Sequence, residues 1–134
     1  MALLVAETCS RRALEILNQD SAIITWWGSP LECVSALSRR ERESTLGAEL
    51  VEEALGRLLA LQQGWMEVDP TDKVRNWAKR LLRLHPLRAA DALQLVAAVV
   101  ATDQEPGRLE FACADARLAA IARREGFPVL NLMI

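Results

Sequence analysis

Long hydrophobic runs are the first thing missing from this 134-residue chain, and without one a bilayer-spanning helix is excluded. Residues 1–5, Met-Ala-Leu-Leu-Val, lack both the basic flank and the full apolar core of a signal peptide. Cysteine is sparse: Cys9, Cys33 and Cys113 are odd in number and form no C-x-x-C pair. That excludes a disulfide framework and a thiolate zinc site, and makes a reducing cytoplasm the expected compartment. Histidine occurs once, as His85 in a polar turn, which reads as a surface residue and not as a catalytic base or ligand. Positive charge is not in excess either, the formal net charge being -2. A strongly basic domain would advertise nucleic acid. The balance here leaves an RNA substrate open, because a metal ion can carry the phosphate contact.

What is present is ordinary for one globular domain spanning residues 1–134: 51% hydrophobic and 25% charged residues. The most informative stretch is 87–100, LRAADALQLVAAVV, rich in Ala and Leu and free of Gly and Pro. Leu93, Val96, Ala97 and Val100 fall at i, i+3, i+4 and i+7, and Leu95, Ala98 and Val99 cover the other faces. The spacing predicts a central helix, apolar nearly all round. Asp91, in its first turn, is the only acid in that run. A carboxylate there needs compensation from the helix N-terminus, from Arg88 three residues back, or from a bound cation.

Elsewhere, strand and helix patterns alternate. A helix is expected over 7–19, with Ala6, Cys9, Ala13, Ile16 and Leu17 on one face and Thr8 or Ser10 near its start. The β-branched and aromatic run 22–27 reads as a buried strand. Ser29-Pro30-Leu31-Glu32 then has the form of a capping box, Ser at the N-cap and Pro at the first helical position. A third helix follows Ser44-Thr45, with Leu46, Leu50, Ala54, Leu58 and Leu61 inward and Gly64 as the residue just past its end. After a short strand at 65–68, a helix from 70–72 carries Val74, Trp77, Ala78 and Leu81 inward and a basic stripe outward. That stripe reads as a solvated face, with RNA backbone contact as the alternative. His85-Pro86 separates it from the central helix. Glu105-Pro106-Gly107-Arg108 is placed like a type II turn. A strand over 109–113, a helix after Ala114-Asp115 that Gly126 ends, and a strand at 128–132 complete the chain. The alternation argues for an α/β domain with a short parallel sheet.

In such sheets ligands bind at the carboxyl ends of strands, where the following helices begin. Glu32, Asp91 and Asp115 each sit at a predicted helix start. Clustered carboxylates repel one another unless a cation is present, and oxygen-only ligands suit Mg²⁺ or Mn²⁺. Each acid also has a plain structural role open to it: Glu32 can close its capping box and Asp115 can cap its helix.

Residues 87–95, with the Arg-x-x-Asp-Ala-Leu element, resemble the central motif of PIN domains, the nucleases that include VapC-type toxins. Phe111 to Leu118, followed by Gly126-Phe127-Pro128-Val129-Leu130, is similar to that family's last acidic motif and terminal strand, and residues 29–37 to its second motif. The resemblance implies a three-layer α/β/α sandwich and a Mg²⁺- or Mn²⁺-dependent endoribonuclease. Glu32, Asp91 and Asp115 would be its metal-binding and catalytic acids. It also implies an RNA substrate and, for a toxin of a toxin–antitoxin pair, an antitoxin protein as partner.

Two substitutions depart from the family pattern: Cys113 stands where Thr or Ser is preferred, and Gln94 where many members have His. The family's opening strand, which ends in a metal-binding Asp, has no counterpart, and Glu7 lies too far into the first helix to replace it. Truncation, a misassigned start or a degenerate member each accounts for this. A degenerate or truncated scaffold would serve as a dimerisation or protein-binding module instead of an enzyme. Without that middle strand the sheet is expected to have a gap between the strands at Ile23 and Phe111. Residues 1–5 could fill it or exchange between protomers, so a homodimer with weak or absent ribonuclease activity is expected.

Overall fold

The computed structural model describes residues 1, 3–5, 7 and 10–133 of the chain. Among these residues the architecture is mixed α/β and mostly helical. In order the elements are α1 (Ser10–Gln19), β1 (Ile24–Trp26), α2 (Ser29–Arg42), α3 (Ala48–Gly64), β2 (Met66–Val68), α4 (Asp72–Leu84), α5 (Ala89–Ala101), β3 (Phe111–Cys113), α6 (Ala116–Arg124) and β4 (Val129–Asn131). The four short strands form two parallel pairs, β1 with β2 and β3 with β4, and no ladder joins one pair to the other. The chain divides into two compact units, one of Met1–Ile23 with Gly28–Met66, the other of Ile24–Trp27 with Glu67–Ile134.

The first unit is built on α2 and α3. Leu37, Val51, Ala54 and Leu58 are buried together with Leu4 and Val5. The face of α3 is therefore set by Val51 and not by Leu50, which is 51% exposed. Both residues suit a helix, so only packing distinguishes them. Among the described residues of this segment, Met1 and Leu3 to Val5, no strand forms. The Leu4 N–H donates to the Met1 carbonyl at 2.8 Å, and the turn buries Leu4 and Val5 in this core. Burial of two apolar side chains thus takes the place of strand pairing. The early part of the predicted first helix, with Ala6, Thr8 and Cys9, lies outside the described residues. From Ser10 onward, α1 buries Ala13.

Three local expectations in this unit are corrected. Gly28, not Ser29, occupies the N-cap of α2, because its carbonyl already accepts the Glu32 N–H at 3.1 Å; Ser29 and Pro30 lie inside the helix. Gly64 is the last residue of α3, and the helical bonding runs on to Trp65, whose N–H donates to the Leu61 carbonyl. α3 follows Ser44-Thr45 but starts only at Ala48, so Leu46 precedes it, and Ser44 and Thr45 close α2. The Thr45 N–H donates to Arg40 O and the Ser44 N–H to Glu41 O, the paired bonds of a Schellman motif. Ser44 is left-handed there, with φ 57°. A side chain in that conformation costs roughly 1–2 kcal/mol that glycine does not, offset in part by glycine's freer unfolded state. Ser44→Gly should therefore raise stability by about 0.5–1 kcal/mol in urea unfolding, and a destabilised variant would contradict this account of the turn.

The second unit is organised around α5. Ala92, Leu95, Val96, Ala97, Ala98 and Val99 are buried, more than in any other described helix. Val74, Ala78 and Leu81 of α4, Trp26 of β1, Cys113 of β3 and Leu118, Ile121 and Ala122 of α6 share that core. Trp26 is the buried residue of β1, whereas Ile24 is 38% exposed, so this strand is half-solvated. The Thr71 hydroxyl accepts the Val74 N–H at the start of α4. At the Pro86 break the chain turns through 120° from α4 into α5. In the β3–β4 pair, Phe111 lies opposite Val129 and Cys113 opposite Asn131.

Gly126 (φ 97°) ends α6 in a second Schellman turn, with the Phe127 N–H on the Ala122 carbonyl. Gly107 is not left-handed, so Pro106–Arg108 is a 3₁₀ turn and not a type II turn. No single helix among the described residues is long and apolar enough to cross a membrane.

Candidate acidic site

Two of the three predicted acids lie in the second unit, both near enough to Cys113 to act on its thiol. Arg88, in extended conformation, is the N-cap of α5, and Asp91 is the third helical residue, half-buried. Arg88 does not pair with it: among the described residues the Asp91 carboxylate has neither an ion pair nor a hydrogen-bond partner. Of the three compensations open to Asp91, the helix N-terminus is present and the arginine is not.

Asp115 is the N-cap of α6. Its Oδ1 accepts the N–H of Arg117 at 2.8 Å and of Leu118 at 3.3 Å, so its structural role is real. Oδ2 has no protein partner among the described residues and remains available to a ligand. The Asp115 backbone is tied to Cys113. Its N–H donates to Sγ at 3.3 Å, and the thiol donates to the Asp115 carbonyl at 3.2 Å. Burial pushes the Cys113 thiol above its ordinary pKa; the carboxylates of Asp115 and Asp91 push the same way, against hydrogen bonds that lower it. Both acids therefore act on one buried sulfur. The Arg117 Nη2 donates weakly to the Pro86 carbonyl at 3.5 Å, tying the start of α6 to the segment leading into α5.

Glu32 is not part of this pair. It is half-buried in the first turn of α2, in the other compact unit, beside Cys33. Burial, and secondarily the Glu32 charge, raise the Cys33 thiol, while the N-terminal ammonium opposes them. Among the described residues, no three His, Cys, Asp or Glu side chains converge to hold a metal ion. The donor chemistry of Asp91 and Asp115 nevertheless fits Mg²⁺ or Mn²⁺, since Mg²⁺ is commonly held by one or two carboxylates with water and substrate phosphate completing the shell.

His85 departs from expectation. Its side chain is only 12% exposed, and Nε2 lies 2.7 Å from Oε1 of Glu125. The two residues are forty positions apart, beyond any local pattern. The Cys113–Asp115 link does have a sequence signal: a helix-capping Asp two residues after a strand-end cysteine.

The cap and the charge of Asp115 can be separated by substitution. Asp115→Ala should cost about 1 kcal/mol of stability, whereas Asp115→Asn should cost a few tenths, because Asn caps nearly as well. Equal losses in thermal melts of the two variants would show that the carboxylate charge, and not the cap, is what α6 needs.

Comparison with protein-family models, curated proteins and solved structures returns no match to this chain.

Proposed function

We propose that the chain is a PIN-like nuclease domain of the three-layer α/β/α class that acts on RNA with Mg²⁺ or Mn²⁺. The observation that carries this reading is Asp91: a half-buried carboxylate on the most buried helix, without a cation partner, sharing Cys113's surroundings with Asp115. A bound divalent ion would compensate the Asp91 carboxylate, which Arg88 does not. When bound, it polarises a phosphodiester and lowers the pKa of attacking water. Asp91 and Asp115 Oδ2 would hold the ion, and α5 and α6 would fix their separation. An antitoxin-like protein and a second copy of the chain are the partners this reading brings with it.

A second reading, a PIN-like scaffold without catalysis, is favoured by two observations: Asp115 already has work as a cap, and no three-residue donor group forms among the described residues. The two separate on one assay. Single-stranded RNA incubated with the chain should be cut in Mn²⁺ and left intact in EDTA under the nuclease reading. No cleavage, together with no Mn²⁺-dependent change in melting temperature, would leave the scaffold.

A further inference from the structure

We propose that the solvent face of α4, carrying Lys73, Arg75, Lys79, Arg80 and Arg83, is a docking surface for the backbone of single-stranded RNA. This deepens the nuclease reading by naming its substrate contact, but it stands on charge placement and not on the acid pair. A chain of net charge -2 places five cations on one thirteen-residue helix, including both of its lysines, against one acid, Asp72. With Val74, Ala78 and Leu81 turned into the core, the five cations cover the opposite arc and all are exposed. Only Arg75 is paired, loosely, with Asp72 at 3.8 Å; among the described residues no carboxylate neutralises Lys73, Lys79, Arg80 or Arg83. From Lys73 to Arg83 the charge extends about 15 Å along the helix, so the ligand that fits is an extended line of negative charge.

Three features select RNA over other anionic partners. Guanidinium groups, three of the five cations, match phosphate with a fork of donors. The Arg80 guanidinium lies 4.9 Å from the ring centroid of Trp77, which is itself half-exposed, forming a planar edge on which an unstacked base can lie. A helix that lies on a membrane needs its apolar face for lipid, and here that face is buried in protein.

The test measures fluorescence anisotropy of a labelled single-stranded RNA with the full wild-type chain in EDTA, so that cleavage does not intervene. The triple variant Lys79→Ala/Arg80→Ala/Arg83→Ala should bind at least tenfold more weakly. Its salt dependence should flatten by about 2 in the slope of log K against log salt, following roughly 0.7 per lost contact on a single strand. Arg108→Ala/Arg123→Ala/Arg124→Ala, which removes equal charge elsewhere in the same unit, should bind as wild type. Circular dichroism establishes that both variants are folded. Equal weakening in the two triples, or none in the first, overturns the surface, as does tighter α4-dependent binding to phosphatidylserine vesicles or polyglutamate than to RNA. Binding that depends on α4 without any Mn²⁺-dependent cleavage upholds the surface and sinks the nuclease reading. Cleavage with binding indifferent to α4 does the reverse.

Discussion

Asp91→Asn is expected to abolish any Mn²⁺-dependent rise in melting temperature and any Mn²⁺-dependent RNA cleavage, while the metal-free protein stays about as stable as wild type. Asparagine keeps the shape of the side chain and removes its charge. Because the carboxylate has no ion pair or hydrogen bond among the described residues, no contact is broken by the change. One small term remains. The favourable interaction of a first-turn acid with the helix N-terminus is lost, typically 0.3–1 kcal/mol for an accessible group, as an order of magnitude. The net change in metal-free stability should stay within about 1 kcal/mol of zero. A metal-induced melting shift that survives in Asp91→Asn would remove Asp91 from the site. Loss of more than about 2 kcal/mol without metal would mean that the carboxylate has a structural role.

Leu95→Ala should be the most damaging conservative change in the second unit, at about 3 kcal/mol. Leu95 is fully buried on α5, within the cluster that holds Val74, Ala78 and Leu81 of α4 and Trp26 of β1. Truncation removes the transfer energy of three carbons and leaves a cavity. The surroundings are regular helices pinned by their own backbone bonds, so they collapse little. Leu93→Ala offers the comparison: it lies on the same helix but is only half-buried, and should cost clearly less. Urea midpoints of the two variants decide the point. Equal losses would mean that the inward face of α5 has been placed wrongly.

Much of the second unit could be read from local physics. The i, i+4, i+7 pattern of Val74, Ala78 and Leu81, the unbroken Ala and Leu of α5, the Pro86 break, the Asp115 cap and the Gly126 terminus all express energies decided locally along the helix. Each is carried by the backbone and its nearest side chains, and so survives without knowledge of the fold. The acids at the starts of α5 and α6 were legible for the same reason: a carboxylate at a helix N-terminus is a local event.

What the chain alone left open are the choices in which two local solutions differ by less than burial decides. Leu50 and Val51 are equally plausible inward residues of α3; packing turned Val51 in. Gly28 displaced Ser29 as the cap of α2 because the incoming chain put the first helical bond on the Gly28 carbonyl. Residues 1–5 could pair as a strand or bury Leu4 and Val5, and burial prevailed. His85 found Glu125 forty residues away, and Glu32 went to a different compact unit from Asp91 and Asp115, although all three acids begin helices. A helix start or an alternation is worth about 1 kcal/mol, while burying one large apolar side chain is worth roughly 1.5–3 kcal/mol. Sequence therefore determined which segments are helical and, in the second unit, how they start and stop, while tertiary structure decided the exact ends in the first unit, which apolar residues turned inward and in which compact unit each acid lies.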